Sequence, residues 1–293
     1  MSVPSGLILL NKKAGLTSFE ALGEIKRALG TGKVGHTGTL DKFAQGLLLV
    51  LTGGALKLSP WFSHCDKRYL GKIHFGIETD TLDPEGSTIA AAETPAREKV
   101  EQALSQFTGN IMQTPPVFSA IHIDGKRASA LARSGEMPQM KQRPVSIYKL
   151  ELRSWQPPFA EIFVHCSGGT YIRSLSRDIA LAANSRAHLC ELTRTQVAGF
   201  RLEEGSGDAS IPPLPIDKTI IGALGLPYFE VDAAAAQAII HGKPLSPILD
   251  GKSFVSQSEP SSDFSAAVFS GETIIAVAGK NGGIWKYGCV FNN

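Results

Sequence analysis

No stretch of eighteen apolar residues occurs in the 293-residue chain, so no membrane span is expected. Near the N-terminus Lys12 and Lys13 follow the short apolar run from Gly6 to Leu10 instead of preceding it, so no secretory signal is expected either. Cysteine is scarce. The four present, Cys65, Cys166, Cys190 and Cys289, include no CxxC pair, which argues against a disulfide scaffold or a zinc site and for reduced thiols in a cytoplasmic protein. A phosphate-binding loop is missing: Gly32-Lys33 is followed by Val34, and the position five before Gly32 is Arg27, so the G-x-x-x-x-G-K-[ST] pattern fails at two required places. No G-x-S-x-G elbow of a serine hydrolase occurs.

Charge is low in total and uneven along the chain. The net charge is +2, but residues 1–200 carry +6 and residues 201–293 carry −4. A basic body is a weak pointer to a polyanionic partner. Apolar residues make up 43% and charged residues 19%, an ordinary globular balance.

The local patterns predict interleaved strands and helices. Gly6–Leu10 reads as a buried strand. In TSFEALGEIKRALG, Thr17 and Glu20 have capping-box spacing, and Phe19, Leu22, Ile25 and Leu29 recur at helical period before Gly30. The run Leu47–Leu51 reads as a strand covered on both faces. Lys67–Gly76 is strand-like, and SIYKLEL and AEIFVHC alternate like paired strands. A helix is predicted from Pro95 with Thr94 as its cap and Gly109 as its stop, and another from Thr170. The order lacks a regular βαβ repeat, which favours an α+β fold. Residues 203–218, rich in Gly, Ser and Pro, read as a linker. Beyond about Phe229, GKPLS, AAVFSGETIIAVAGK and GGIWKYGCVF suggest short strands of a small β-rich module.

Three constellations carry possible chemistry. In KVGHTGTLDKFAQGLL, Asp41 sits among glycines and threonines just before a buried strand, as if something large must approach it. Gly35 and Gly38 give that loop freedom to hinge. Tyr69 follows Lys67 and Arg68, and Tyr171 and Arg173 fall in the first turn of a helix. Each has an ordinary structural alternative. Asp41 alone reads as a cap or turn residue, Tyr69 as a strand aromatic, and Arg173 as a surface arginine pairing with Asp178 or Glu161. A paired-carboxylate hydrolase would need a second acid, and Asp80 and Asp83 read better as parts of a turn.

In combination and in order, GLILLNKKAGLTS, KVGHTGTLDKFAQGLLLVLTGGALK, DKRYLGKIHFGIETDTLDPEG, PPVFSAIHIDGKRASALARSG, GGTYIRSLSRDIA and AHLCELTRTQVAGF resemble the TruB family of pseudouridine synthases, over about residues 6–200. The resemblance implies a largely antiparallel central sheet flanked by helices, with residues 1–228 as the catalytic domain. It also implies a C-terminal PUA-like RNA-binding module over 229–293, a looser match. The implied activity is isomerisation of uridine 55 in the TΨC arm of tRNA, with no cofactor, guide RNA or obligate protein partner, by a cytoplasmic monomer. By position, Asp41 matches the catalytic aspartate, Tyr69 the aromatic stacking on the target base, and Arg173 the arginine pairing with the carboxylate. His36 matches a histidine that enters the RNA, and Leu192 a residue lining the pocket; Tyr171 belongs to the same G-T-Y-I-R segment as Arg173. Residues 119–143, with five Lys/Arg against two acids, are expected to form an RNA-binding flap. This chain departs from the family pattern at Lys13, Lys42, His122 and Thr193, departures expected to touch loop rigidity and RNA-facing charge. The alternatives are a non-catalytic RNA-binding or tRNA-folding protein on the same fold, and a nucleosidase using Asp41 on a glycosidic bond.

Overall fold

The computed structural model describes residues 4–206, 211–256 and 262–291. A mixed sheet forms its centre. Seven strands run in the spatial order Gly6–Lys12, Gln45–Thr52, Ala187–Val197, Lys67–Phe75, Phe159–Cys166, Arg143–Gln156 and Gly109–Gln113, with Val34–His36 and Phe200–Arg201 paired alongside. All these pairings are antiparallel except that of Gln45–Thr52 with Ala187–Val197. The expected α+β architecture is therefore present.

The apolar run at 47–51 shows why the sheet is buried on both sides. Leu48 and Val50 point into one core with Leu22 and Ile25 of the helix Ser18–Ala28 and Leu175 and Ile179 of the helix Ile172–Ala182. Leu47, Leu49 and Leu51 point into a second core. Strand side chains alternate in direction, so a run without polar residues must be covered twice.

The second core joins the body to the C-terminal module. Ala267, Phe269, Ile274, Val277 and Phe291 pack there with Leu7 and Leu47. The module has a four-stranded sheet, Tyr228–Glu230, Phe264–Ser270, Thr273–Asn281 and Ile284–Val290, with helices Ala233–Ile240 and Ser246–Leu249. GKPLS is not a strand: it leads into the short helix, with a proline in its first turn, where the missing N–H costs no hydrogen bond.

Two other expectations are corrected. The stretch read as a linker is bound to the first strand: Leu7 and Leu214 exchange two backbone hydrogen bonds of 2.8 Å, and Ser206 bonds Leu9 and Asn11. Residues 207–210 of that stretch lie outside the described residues. The helix expected from Pro95 spans Arg97–Ser105, with Ala96 at its cap and no side chain closing it. The capping box of the first helix forms as the spacing predicts: Thr17 Oγ1 accepts from Glu20 N–H at 3.1 Å, and Glu20 Oε2 accepts from Thr17 N–H at 2.7 Å.

Gly46 is the second residue of the strand Gln45–Thr52, at its parallel junction with Ala187–Val197. Its φ is +105°, and a Cβ there would collide with the Arg194 backbone. Gly46→Ala is therefore expected to destabilise the fold by about 3 kcal/mol, strain and overpacking together, read as a lower urea midpoint at unchanged slope.

Candidate active site

Asp41 lies in the loop between Val34–His36 and Gln45–Thr52, and that loop is held from several sides. Ser18 Oγ accepts from Leu40 N–H at 2.8 Å and donates to Leu40 O at 3.0 Å. Thr37 N–H donates to Leu49 O at 3.0 Å, and Gly15 N–H to Lys42 O at 2.8 Å. The buried Lys12 ammonium donates to Leu16 O and Ala44 O, both at 2.6 Å. The Arg194 guanidinium, also buried, donates from Nε to Leu47 O at 2.7 Å and from Nη2 to Gly38 O at 3.0 Å. In this conformation the glycine loop is braced on both sides of Asp41, with the Gly38 and Ala44 carbonyls accepting from two internal cations.

Arg173, at the second position of the helix Ile172–Ala182, reaches Asp41 from the other side. Its Nη2 donates to Asp41 Oδ1 at 2.8 Å and to Phe118 O at 3.1 Å. Its Nη1 donates to Thr81 O at 2.8 Å and to Asp83 Oδ2 at 3.2 Å. The arginine does not grip Asp41 with both arms; its fork is shared between two carboxylates. Asp83 in turn accepts on Oδ1 from Thr81 Oγ1 at 2.6 Å and from Glu85 N–H at 3.0 Å. Arg173 and Asp83 side chains are 5% and 8% exposed, while Asp41 keeps 32%. A buried Asp83–Arg173 pair therefore backs a carboxylate whose side chain is partly open.

Burial pushes the Asp41 carboxyl above its ordinary value; the Arg173 charge opposes this, and the Asp83 charge adds to it. Burial lowers the Lys12 ammonium to about 8, against the pull of Asp41.

The opposite wall is made by adjacent strands. Tyr69 and Leu192 are both buried side chains at its surface, and burial raises the Tyr69 hydroxyl to about 12. His36 is half-buried; desolvation first, then the Arg194 charge, lower its pKa and so favour the neutral ring, and its buried Nδ1 has no hydrogen-bond partner among the described residues. Tyr171 caps the Arg173 helix, with backbone bonds to the Gln113 side chain and the Arg143 guanidinium 4.9 Å from its ring centre. Asp41, Tyr69, Arg173, His36, Leu192 and Tyr171 all line one cleft of about 800 Å³. Lys42, Lys67, Arg127, Arg133 and Arg143 also line it and outnumber its acids Asp41, Asp83 and Glu85, the last of which pairs with Lys42 at 3.5 Å.

The family model for the TruB family pseudouridylate synthase N-terminal domain matches residues 26–172, which contain Asp41, Tyr69 and Asp83. The chain belongs to the TruB family. Among its TruB-family relatives, tRNA pseudouridine synthase B of Borreliella burgdorferi (strain ZS7) is 44% identical over 205 residues, covering 69% of this chain and 73% of that protein. The protein of the same name from Aromatoleum aromaticum is 38% identical over 252 residues, covering 83% and 82%. The crystal structure of a Cbf5-Nop10-Gar1 complex contains a chain that superposes with a TM-score of 0.69 at 24% identity, over 95% of this chain and 79% of that one, a likeness of fold.

Within this TruB-family cleft, sequence reasoning missed Asp83 and Arg194. Asp83 does sit in a turn, but one of its oxygens makes the turn while the other holds Arg173. Arg194 belongs to a segment assigned RNA-facing charge, yet it is 2% exposed. Its neighbour Thr193 points the other way, accepting from Gln45 Nε2 at 3.3 Å. Arg173 does not pair with Asp178 or Glu161; Asp178 pairs with Arg177. Among the described residues no three His, Cys, Asp or Glu side chains converge to hold a metal, the four cysteines are free, and no helix is long and apolar enough to cross a membrane.

Proposed function

We propose that this chain is a tRNA pseudouridine synthase acting, as a monomer without guide RNA, on uridine 55 of the TΨC arm. The observation that carries the reading is the Arg173-held carboxylate of Asp41, open to a basic cleft whose facing wall is Tyr69 and Leu192. The names of the relatives support tRNA as the substrate.

The reaction breaks the C1′–N1 bond of uridine, turns the uracil, and joins C5 to C1′. N1 gains a proton and C5 loses one, so the product is an isomer and nothing is transferred or oxidised. Everting the base from folded RNA costs a few kcal/mol. Stacking on the Tyr69 ring returns about 1–3 kcal/mol of that. A neutral His36 is suited to the space the base vacates, since no charge is then desolvated against RNA. Asp41 acts on the everted nucleotide in its ionised form, which Arg173 favours. Residues 119–143 serve as the RNA-binding flap. They form the hairpin His122–Ile123 with Lys126–Arg127 and the helix Ala128–Arg133, and Ser119, Arg127 and Arg133 line the cleft. Residues 1–228 act as the catalytic domain, and 229–293 as a PUA-like RNA-binding module.

Tritium release from tRNA labelled at uridine C5 tests the reading, because only C5–C1′ bond formation expels that hydrogen. The label is expected in water and the pseudouridine at position 55. Free uracil would point instead to a nucleosidase, and no release at all to an RNA-binding role. The rate is expected to fall as pH is lowered through the Asp41 pKa. Because burial raises that pKa, the acidic limb should lie above the value near 3.8 of a free aspartate.

A further inference from the structure

Buried polar side chains are almost always hydrogen-bonded, so one that is not calls for a reason. Among the described residues six buried side-chain polar atoms have no partner. Four of them belong to residues that line the Asp41 cleft: His36 Nδ1, Ser119 Oγ, Arg143 Nε and Arg173 Nε. Ser119 is the sharpest case. The two arginines donate from other nitrogens, Arg143 to Gly169 O and Arg173 to Asp41 Oδ1, whereas serine has a single polar side-chain atom. The residue is 6% exposed. Its backbone is satisfied: the N–H donates to Val117 O at 2.9 Å, and the carbonyl accepts from Ser129 N–H at 3.2 Å. Only the hydroxyl is left over.

A buried hydroxyl without a partner lowers stability. Folding therefore gives no reason for serine at this place, and alanine would avoid the cost. A bound molecule can supply the missing partner, because the residue is part of the cleft wall and one rotamer change redirects its oxygen.

Position and company decide which part of a nucleotide that partner is. Ser119 follows Phe118, whose carbonyl accepts from Arg173 Nη2, the same nitrogen that holds Asp41 Oδ1. The hydroxyl thus belongs to the Arg173 side of the cleft, while the proposed function stacks the base on Tyr69. A nucleotide's own phosphate lies one sugar ring away from its C1′. Arg127, Arg133 and Arg143, on the same segment as Ser119, also line the cleft. Guanidinium groups only donate, so they suit a group that only accepts and carries negative charge. A phosphodiester fits that description; the polar edge of uracil, with its N–H, does not.

We infer that the Ser119 hydroxyl donates a hydrogen bond to the 5′ phosphate of the everted nucleotide. The inference rests on the proposed function for the choice of RNA. The bond forms only when the nucleotide has left its stack and entered the cleft, so Ser119 favours eversion.

The test uses the full chain and a hairpin RNA with the sequence of the TΨC arm. Ser119→Ala is expected to lower kcat/KM about 10- to 150-fold, the loss of one hydrogen bond to a charged group. Its thermal midpoint should equal or exceed that of the parent, a divergence that a structural serine does not produce. A methylphosphonate in place of the 5′ phosphate of uridine 55 should slow the parent by a similar factor and slow Ser119→Ala little further, because the two changes remove one contact. Parental kcat/KM in Ser119→Ala overturns the inference and leaves the proposed function standing. So does a loss of stability in step with activity, or a methylphosphonate effect as large in Ser119→Ala as in the parent. A parental chain that binds the hairpin without converting it defeats the proposed function, and the same cycle read as affinity then decides the subsite; one that does not bind it defeats both.

Discussion

Asp41→Asn is expected to abolish pseudouridine formation, lowering kcat on the order of 10⁴-fold, without weakening the fold. The first half follows from position. Asp41 is the carboxylate that Arg173 presents to the cleft, with a third of its side chain still open. Asparagine keeps the size and an acceptor for Arg173 Nη2 but loses the charged oxygen. The second half follows from linkage. The folded Asp41 pKa is raised, first by burial and then by Asp83, and only partly restored by Arg173. At a pH between the unfolded and folded values, the unfolded chain has already lost the proton that the folded chain keeps. Stability therefore falls as pH rises through that window and stays lower above it. At pH 7 the ionised carboxylate is a net burden on the fold, so the thermal midpoint of Asp41→Asn should equal or exceed that of the parent. Tritium release and calorimetry on the same preparation check both halves. Retained activity, or a clear loss of stability, would show that Asp41 is a structural cap after all.

How much of this was legible in the chain depends on range. The capping box at Thr17 and Glu20 and the doubly buried run at 47–51 are local signals, and both appear where the pattern places them. The segment order that carries Asp41, Tyr69 and Arg173 is also legible, since each motif is short. What the sequence hides is direction and distance. Asp83 carries every mark of a turn residue, and its tie to Arg173, ninety positions away, has no local trace. Lys12 and Arg194 look like surface charges because lysine and arginine almost always are. Their burial becomes visible only when the loop carbonyls they satisfy are in place. Phe19 fails for the opposite reason: helical period groups it with the buried Leu22 and Ile25, yet its side chain is 71% exposed.

The other large effect is expected at Asp83. Asp83→Ala should cost about 3–5 kcal/mol, because it breaks the ion pair with Arg173 in which both side chains are buried and strips the turn of two hydrogen bonds. Activity should fall as well, since Nη1 is what fixes the guanidinium plane while Nη2 offers itself to Asp41. Asp83→Asn separates the two contributions. The amide oxygen can still accept from the turn, so part of the stability should return, but the amide nitrogen cannot accept from Arg173 Nη1 and the charge is gone. Asp83 raises the Asp41 pKa by repulsion, and removing that charge also leaves Arg173 to Asp41 alone. Both effects act in the same direction, so the acidic limb of the rate, or the carbon-13 titration of the Asp41 carboxyl, should shift to lower pH. An unmoved limb in Asp83→Asn together with full stability in Asp83→Ala would reduce the residue to an ordinary turn. A downward shift would show that the interior carboxylate sets the ionisation of the exposed one, with Arg173 as the link between them.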